Sequence, residues 1–383
     1  MSSEVVLGID LGTSFSTAAA FVNGKMRFAL DGRGEPCVPS VVHFPKKGYP
    51  LVGADAQRLR ATDPENTVAG VKRLLGCAPD SPELRVAQAN SPFQISTERS
   101  GVKIITQTGE HTPTEVASMI FGYLKRRAEV LFGKDVNKAI LTLPVKANDA
   151  TRTSTLKAAK MVGLDVIGTV EEPCAAALCH GLDEFKGERL FMVYDFGGGT
   201  FDVSIIRQTD NNLRVLRADG DEMLGGDDLD MALAKRIASY VWEQKQVDVT
   251  KDVVRWDRIQ VACEQAKRAL SSLDHARLRV PDAIPGTRGA ELDLVVKRPD
   301  AESCWSGLVQ RSMRTAVEAM VATQVRPDAL AGIVLAGGTT FVPLVQKQVV
   351  KVLRRPFIKS EDPQTAVATG AALLGAKAIS VAY

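Results

Sequence analysis

The chain has 383 residues, of which 45% are hydrophobic and 24% charged, and its formal net charge is +3. This composition is ordinary for a folded globular protein and excludes a disordered or low-complexity scaffold. So small a surplus of positive charge provides no basic surface for nucleic acid or an anionic membrane. The first residues lack the basic region of a signal peptide, and no apolar run reaches the ~18 residues that cross a bilayer. We therefore expect a cytoplasmic protein that binds neither nucleic acid nor membrane.

The six cysteines and four histidines are dispersed along the chain, without a Cys-x-x-Cys pair. A zinc site requires clustered nitrogen and sulfur ligands. We therefore predict no zinc centre, and thiols that remain reduced.

Two segments half a chain apart share one pattern. Residues 5–18 read VVLGIDLGTSFSTA, and residues 190–203 read LFMVYDFGGGTFDV. In each, an apolar strand meets an aspartate, then a glycine-rich turn and a second β-prone run, and Asp10 aligns with Asp195. Two such hairpins indicate duplicated α/β halves that face each other. The alternative is a chance match, because an apolar strand followed by Asp and Gly is common.

Strands and helices alternate along the rest of the chain. A Thr-x-x-Glu-like start precedes helical spacing over residues 113–132, and a strand over 137–144 is followed by a helix over 149–162. This alternation favours an α/β core. The remaining predictions are a short strand and turn within 163–173, a helix opening at 174, long helices over 227–245, 256–273 and 302–323, and strands within 276–298 broken by Pro281, Pro285 and Gly286. No low-complexity linker separates the halves, so we expect them to share a cleft.

The first glycine-rich turn is suited to bind phosphate. Gly12 permits a tight turn, after which the N–H groups of Gly12, Thr13, Ser14 and Phe15 can point at a phosphate. Asp10, at the end of the strand, is suited to hold Mg²⁺ through water, since Mg²⁺ prefers one or two carboxylates plus phosphate oxygens. Taken alone, the segment could also be an ordinary hairpin.

The second turn carries the stronger signal. Gly197, Gly198 and Gly199 leave room for a polyphosphate against bare backbone. Three glycines in a strand pattern cost stability and are rarely present for packing. Thr200 adds a hydroxyl at the exit of the loop, and Asp202 adds a second carboxylate.

A third glycine-rich segment, residues 333–343, is IVLAGGTTFVP. It predicts a buried strand that runs into Gly337 and Gly338, and then a helix whose N-terminus is set by Thr339 or Thr340 and by Pro343. Such a turn suits the α-phosphate and sugar of a nucleotide, although a plain strand–helix turn has the same pattern.

A polar helix face completes the set. Glu264, Lys267, Arg268 and Ser271 are spaced i, i+3, i+4 and i+7 and so share one face. Glu and Lys can bond ribose hydroxyls, and a guanidinium can stack on a purine. A solvated charged stripe is the alternative. Together, the four segments predict a nucleoside triphosphate bound with Mg²⁺ between two lobes.

The chain resembles the nucleotide-binding domain of Hsp70-type chaperones, within the actin/hexokinase superfamily. YDFGGGTFD together with LGGDDLD is specific for Hsp70 over actins or sugar kinases. The motifs that carry the resemblance are GIDLGTSFST (8–17), VKRLLG (71–76), LPVKANDATR (143–152), EEPCAAAL (171–178), YDFGGGTFDVSII (194–206), LGGDDLD (224–230), CEQAKRALSS (263–272), AGGTTFVP (336–343) and AVATGAA (366–372).

The resemblance implies an α/β fold of duplicated ribonuclease-H-like lobes, the actin-like ATPase fold, with four subdomains around a central nucleotide cleft. Lobe I would be 1–187, with 1–40 and 113–187 as core and 41–112 as the small subdomain. Lobe II would be 188–383, with 188–225 and 308–383 as core and 226–307 as the small subdomain.

The resemblance also implies roles for single residues. Asp10 and Asp195 would hold Mg²⁺. Lys72 would reach the γ-phosphate and the attacking water, Glu172 would help to position metal and water, and Thr200 and Asp202 would flank the nucleophile. The residues expected to bind the nucleotide are Gly12, Thr13, Ser14, Phe15, Gly197, Gly198, Gly199, Thr200, Gly226, Glu264, Lys267, Arg268, Ser271, Gly337, Gly338 and Phe341.

Several positions depart from the family pattern. Val145, Lys146 and Ala147 replace the usual aromatic pair after Pro144, which with Arg152 matches the family's interdomain switch. Phe341 stands where the family usually has an arginine. We expect the purine between Arg268 and Phe341, with Phe341 packed inward as the alternative.

The segment that docks J-domain proteins is also unusual, because its charges are reversed. In the family it is acidic, whereas residues 207–217 carry Arg207, Arg214 and Arg217 against one acid, Asp210. J-domain stimulation is therefore doubtful.

The predicted function is ATP binding and slow hydrolysis by an Hsp70-like chaperone, with ATP/ADP and Mg²⁺ bound and K⁺ as a further candidate ion. The expected partners are a substrate-binding domain and a nucleotide-exchange factor, and the chain is expected to be a monomer active in the stress response. The alternatives are a small-molecule phosphotransferase and a stand-alone actin-like interaction or filament protein.

Overall fold

The computed structural model describes residues 4–98, 101–182, 186–210, 212–284, 291–358 and 362–381. Within these ranges the α-helices are α1 (Ala54–Leu59), α2 (Pro82–Asn90), α3 (Pro113–Phe132), α4 (Asp149–Met161), α5 (Glu172–Cys179), α6 (Gly226–Lys245), α7 (Val253–Leu270), α8 (Arg298–Ala322), α9 (Pro343–Leu353) and α10 (Ala366–Val381).

The strands in the same ranges are β1 (Val6–Leu11), β2 (Phe15–Val22), β3 (Lys25–Phe28), β4 (Val38–Pro39), β5 (Val41–His43), β6 (Leu51–Val52), β7 (Thr67–Ala69), β8 (Gln94–Glu98), β9 (Gly101–Thr106), β10 (Gly109–His111), β11 (Lys138–Leu143), β12 (Asp165–Glu171), β13 (Glu188–Phe196), β14 (Phe201–Thr209), β15 (Asn212–Asp221), β16 (His275–Val280), β17 (Leu292–Lys297) and β18 (Leu330–Ala336).

Two larger sheets repeat one topology. In the first, the strand order is β12-β11-β1-β2-β3, and β4 pairs with β2; in the second, it is β15-β14-β13-β18. Strand β1 is parallel to β11 and antiparallel to β2, as β13 is parallel to β18 and antiparallel to β14. Asp10 and Asp195 occupy equivalent positions near the ends of β1 and β13. The predicted duplication is confirmed, and the predicted actin-like α/β fold with it.

Two helices join the sheets by crossing between them. Helix α10 packs on β1, β2 and β11 of the first sheet, whereas α5 contacts β13, β15 and β18 of the second. The helices also pack on each other so closely that a Cβ on Gly370 would collide with the carbonyl of Ala175. The two halves are therefore held as neighbours with the hairpins face to face.

Three small sheets flank this centre: β6-β5-β7, β10-β9-β8 and β16-β17. The first two lie within residues 41–112, and the third lies with α6 and α7 within 226–307, the ranges expected for the small subdomains. The limits of the four subdomains stay a prediction.

Most of the predicted elements form where the pattern placed them. Helix α3 begins after Thr112, whose hydroxyl accepts from the N–H of Glu115 at 3.2 Å, while the Glu115 carboxylate accepts from the N–H of Thr112 at 2.7 Å. Strand β16 ends before Pro281, and Pro285 and Gly286 lie outside the described residues. Helix α5 begins at Glu172, earlier than predicted, with Pro173 in its first turn.

The prediction that Thr339 or Thr340 sets the N-terminus of the helix after the third glycine-rich segment was wrong. Helix α9 begins at Pro343, and its N-cap is Val342, which offers no side-chain hydrogen bond. The two threonines lie in a short 3₁₀ turn, Gly338–Phe341, and donate to the carbonyls of Gly197 and Gly337 instead.

Two further observations concern the whole described chain. Its helices include none both long and apolar enough to cross a bilayer. All six cysteines lie in described ranges, and none is in a disulfide bond.

Candidate functional site

The first hairpin is a tight turn held from one side by a serine. A Cβ on Gly12 would collide with the carbonyl oxygen of Phe15, so the turn requires glycine. The Ser40 hydroxyl donates to the carbonyl of Gly12 at 2.8 Å, and the Ser40 N–H donates to the carbonyl of Ser14 at 2.8 Å. These bonds fix the backbone at Gly12, Thr13 and Ser14, the residues predicted to cradle phosphate.

The second hairpin is closed by backbone contacts that leave no space for side chains. The N–H of Gly197 donates to the carbonyl of Thr200 at 3.0 Å. A Cβ on Gly198 would overlap the Ser14 hydroxyl, and one on Gly199 would lie 2.6 Å from the Thr13 methyl group. The glycine backbone of the second predicted phosphate loop therefore lies directly against the Thr13 and Ser14 side chains of the first.

The third glycine turn packs against the second hairpin. Gly337 has a φ of +79°, which favours glycine, and a Cβ there would lie 2.6 Å from Asp195 Oδ1. A Cβ on Gly338 would overlap the Gln364 amide, and the N–H of Gly226 donates to the carbonyl of Gly197 at 3.0 Å. The three predicted glycine-rich segments and Gly226 therefore meet in one place.

Four carboxylates and one lysine gather beside the hairpins: Asp10, Glu172, Asp195, Asp202 and Lys72. The Lys72 ammonium donates to Glu172 Oε1 at 2.7 Å, and Thr142 donates to Asp10 Oδ1 at 2.9 Å. Asp195 and Asp202 face each other in the β13–β14 ladder. In the first hairpin, Thr17 stands where Asp202 stands in the second. The duplication therefore supplies two aspartates, and the second half adds a third.

Burial and the negative charge of this cluster shift the pKa values of its members. Burial and the charge of Glu172 raise the pKa of Asp10 to about 6, although Lys72 and Thr142 act against the shift. Burial and Glu172 likewise raise the pKa of Asp202 to about 6, and they raise that of Asp195 well above its usual value. Burial would lower the pKa of Lys72, but Glu172 and Asp10 raise it above the usual value. Lys72 therefore stays charged among carboxylates that repel one another.

This arrangement fits a magnesium ion brought by a nucleotide. Among the described residues, no group of three or more His, Cys, Asp or Glu side chains could hold a metal alone. Asp10 and Asp195 nevertheless offer two carboxylates whose pKa values are raised by burial and by neighbouring carboxylates, and Mg²⁺ typically binds one or two carboxylates with substrate phosphates completing its ligands.

Polar contacts from each hairpin to an element of the other half link the two halves across the cleft. The Arg73 guanidinium donates to the carbonyl of Gly199. The Ser14 hydroxyl lies 3.4 Å from both carboxylate oxygens of Asp227. The sequence analysis did not name Arg73, Asp227, Ser40 or Thr142 for this site, although Arg73 follows Lys72 directly and was within reach of the same reasoning.

The predicted helix face lies on α7 and is only partly exposed. Arg268 reaches over the ring of Phe15, with 5.4 Å from the guanidinium carbon to the ring centroid, and lies 3.9 Å from Glu264. Ser271 donates to the carbonyl of Lys267 at 3.2 Å. Lys267 is turned away from solvent and pairs with Asp230 at 2.7 Å. Glu264 and Arg268 thus lie beside the cleft, whereas the Lys267 ammonium is engaged inside the protein.

Phe341 ends the 3₁₀ turn with its side chain outward. The residue is 37% exposed, whereas neighbouring Val342 is buried. This argues against the alternative that Phe341 packs inward. Its stacking on a purine stays a prediction.

A comparison with protein-family models decides the family. The model described as Hsp70 protein matches residues 6–379, nearly the whole chain. The chain belongs to the Hsp70 family. The match covers the nucleotide-binding domain of an Hsp70-type protein, so the chain is an Hsp70-like chaperone nucleotide-binding domain. As a member of this family, the chain is an ATP-binding domain with ATPase activity.

Proposed function

We propose that this Hsp70 domain binds ATP with Mg²⁺ between the two hairpins and hydrolyses it slowly to ADP and phosphate. Phosphoryl transfer depends on positioning and charge neutralisation more than on covalent catalysis. The glycine backbones at Gly12 and Gly197–Gly199 would cradle the β- and γ-phosphates. Asp10 and Asp195 would hold Mg²⁺, which when bound neutralises charge on the phosphates. The rest of the carboxylate cluster makes K⁺ a further candidate ion.

The observation that carries hydrolysis, rather than transfer to another acceptor, is a small cavity beside the carboxylates. Its volume is about 20 Å³, and Glu172, Asp195 and Asp202 are among the residues that line it. A cavity needs roughly 10–15 Å³ to hold one water molecule. The cavity therefore suits one water and is too small for a sugar. Asp202, with its pKa raised to about 6, is suited to accept a proton from that water. The Thr200 side chain is hydrogen-bonded to the Asp202 carboxylate.

Lys72 would stabilise negative charge on the transferred phosphoryl group. In the present structure its ammonium is already paired with Glu172 at 2.7 Å. Because this pairing offsets part of the charge before the γ-phosphate arrives, we infer that the turnover is slow.

Calorimetry and phosphate release test this proposal together. ADP should bind in the presence of Mg²⁺ and bind more weakly in EDTA. ATP should release phosphate without any added acceptor, and added small hydroxyl compounds should not raise the rate. Phosphate that appears only with an acceptor would favour a phosphotransferase. ATP-dependent light scattering would instead favour a filament protein.

The compartment and partners belong to the same proposal. We place the protein in the cytoplasm as a monomer of the stress response, with a substrate-binding domain and a nucleotide-exchange factor as partners. All six cysteines are free thiols, which agrees with a reducing compartment, since cytosolic proteins keep their thiols reduced.

A further inference from the structure

A buried ion pair lies directly behind the second phosphate loop. Lys267, on α7, is 8% exposed, and Asp230, on α6, is 6% exposed. The Lys267 ammonium donates to Asp230 Oδ2 at 2.7 Å and to the carbonyl oxygen of Gly226 at 2.8 Å. Two of its three protons are therefore engaged inside the protein.

The peptide that Lys267 contacts, at the start of α6, lies beside backbone groups that are hydrogen-bonded to the phosphate loop. The N–H of Gly226 donates to the carbonyl of Gly197 at 3.0 Å, and the N–H of Asp227 donates to that of Gly198 at 2.7 Å. A Cβ on Gly226 would lie 2.8 Å from the Lys267 ammonium, so the start of α6 is enclosed between the lysine and the loop. Any displacement of Lys267 would reach Gly197 and Gly198 through two backbone hydrogen bonds.

Stability alone does not explain a carboxylate at position 230. Burial raises the pKa of Asp230 to about 7, although Lys267 acts against the shift, so holding the charge there is costly. The second oxygen of Asp230, Oδ1, has no hydrogen-bond partner. Replacing a buried ion pair by apolar side chains is often neutral or stabilising. A gain in stability therefore does not account for the pair.

We propose that Asp230 is a positioning residue of the nucleotide site, which fixes the phosphate loop by holding Lys267 against the Gly226 carbonyl. Asp230 acts on the phosphates, through the loop, and not on the base. This inference rests on the proposed binding of the β- and γ-phosphates at Gly197–Gly199.

The test compares ADP with adenosine, which lacks the phosphates. For Asp230→Asn, calorimetry should show a loss of ADP affinity of about 10-fold or more, as expected from a misplaced binding group, and little change for adenosine. The double variant Asp230→Leu/Lys267→Met, which leaves no unpaired buried charge, should fold and show the same selective loss. Asp293→Asn, which removes a carboxylate from the exposed pair with Arg277 on β16–β17, serves as the control and should bind both ligands normally.

Each outcome distinguishes the inference from the proposal beneath it. Equal losses for ADP and adenosine would show that Lys267 serves the ribose and would overturn the positioning role. Unchanged ADP binding by both variants would also overturn it. If the wild-type protein does not bind ADP with Mg²⁺, the proposed function itself fails. Thermal melting of every variant confirms that the folded protein is being compared.

Discussion

Arg268 and Phe341 belong to different elements, and both have exposed side chains. Arg268 is on α7 and reaches over Phe15, while Phe341 follows the Gly337 turn and is 37% exposed. For the family, the position of Phe341 is usually a second arginine. A phenyl ring can stack on adenine but cannot bond the α-phosphate, so we expect a drier and less charged base pocket here.

The first prediction concerns this ring. Phe341→Ala should weaken ADP binding by ~1–3 kcal/mol, the usual contribution of base–aromatic stacking, without loss of thermal stability. Phe341→Arg should be tolerated. Calorimetry and thermal melting give both quantities. Val342→Ala is the matched control, because Val342 is buried and its truncation should lower stability. A Phe341→Ala protein that melts early but binds ADP normally would disprove stacking.

The second prediction is a pH dependence of the nucleotide-free protein. The pKa of Asp10 is raised to about 6, whereas an unfolded aspartate titrates near 4. The folded state therefore binds this proton more tightly, and the contribution of Asp10 to stability rises as the pH falls from 7 to 5. At pH 7, Asp10→Asn should be more stable than wild type by on the order of 1–2 kcal/mol.

Urea denaturation at several pH values tests the direction of this pH dependence. The advantage of Asp10→Asn should shrink between pH 7 and pH 5, as the wild-type carboxyl takes up its proton. An advantage that grows at lower pH would contradict the assigned environment. Asp293→Asn again serves as a comparison, because an exposed ion pair lowers the pKa of Asp293.

Site residues whose type has one dominant structural or chemical role were predictable from the sequence. The glycines of both hairpins and the aspartates beside them follow from backbone and charge requirements alone. Ser40 and Thr142 were not, because a single hydroxyl that bonds a carbonyl or carboxylate looks like any other serine or threonine until the strands are paired. The burial of Lys267 was missed for the same reason, since helical spacing shows which residues share a face but not what covers that face.

Among the helices, local sequence patterns predicted some features and not others. Helix α3 was predicted with its capping residues, because an apolar stripe and a Thr-x-x-Glu start are both local signals. The start of α9 was not, because the Thr339 hydroxyl makes a tertiary hydrogen bond to Gly197 and the Thr340 hydroxyl a local one to Gly337. The crossing of α5 and α10 between sheets was also beyond local pattern, since small residues such as Gly370 and Ala175 are compatible with many partners.

The third prediction tests this crossing. Gly370→Ala should destabilise the protein by about 1–3 kcal/mol, because its Cβ would collide with the Ala175 backbone and force the helices apart. Gly307, within α8, has nothing near its Cβ position. Gly307→Ala should therefore stabilise the protein slightly, by up to about 1 kcal/mol. Chemical denaturation of both variants measures the difference, and equal effects would contradict the packing.

At the scale of the whole molecule, the outer face of β15 has a groove of about 330 Å³. Arg214 and Arg217 line it with Val145 and Glu171. Arg217 pairs with Asp219 at 2.7 Å, and Arg207 pairs with Glu188 at 3.1 Å, so part of the positive charge is compensated. The face is nevertheless arginine-rich, where the family has acids.

The fourth prediction follows from these charges. J-domains present a basic helix, and like charges disfavour the encounter. A bacterial J-domain protein should therefore stimulate ATP turnover weakly or not at all. The double variant Arg214→Glu/Arg217→Glu should gain stimulation, whereas a lysine exchange at both positions should not. Strong stimulation of the wild-type protein at ordinary stoichiometry would refute the charge argument.

The central claim is that this Hsp70 domain hydrolyses ATP in the cleft with Lys72 acting on the transferred phosphate. A single-turnover assay with Mg²⁺ and radiolabelled ATP tests it most directly, comparing wild type with Lys72→Ala. We expect both proteins to bind ATP, and the variant to release phosphate ~10²–10³-fold more slowly, the usual cost of one preorganised electrostatic group. Phosphate release by Lys72→Ala at the wild-type rate, with ATP binding intact, would contradict the claim.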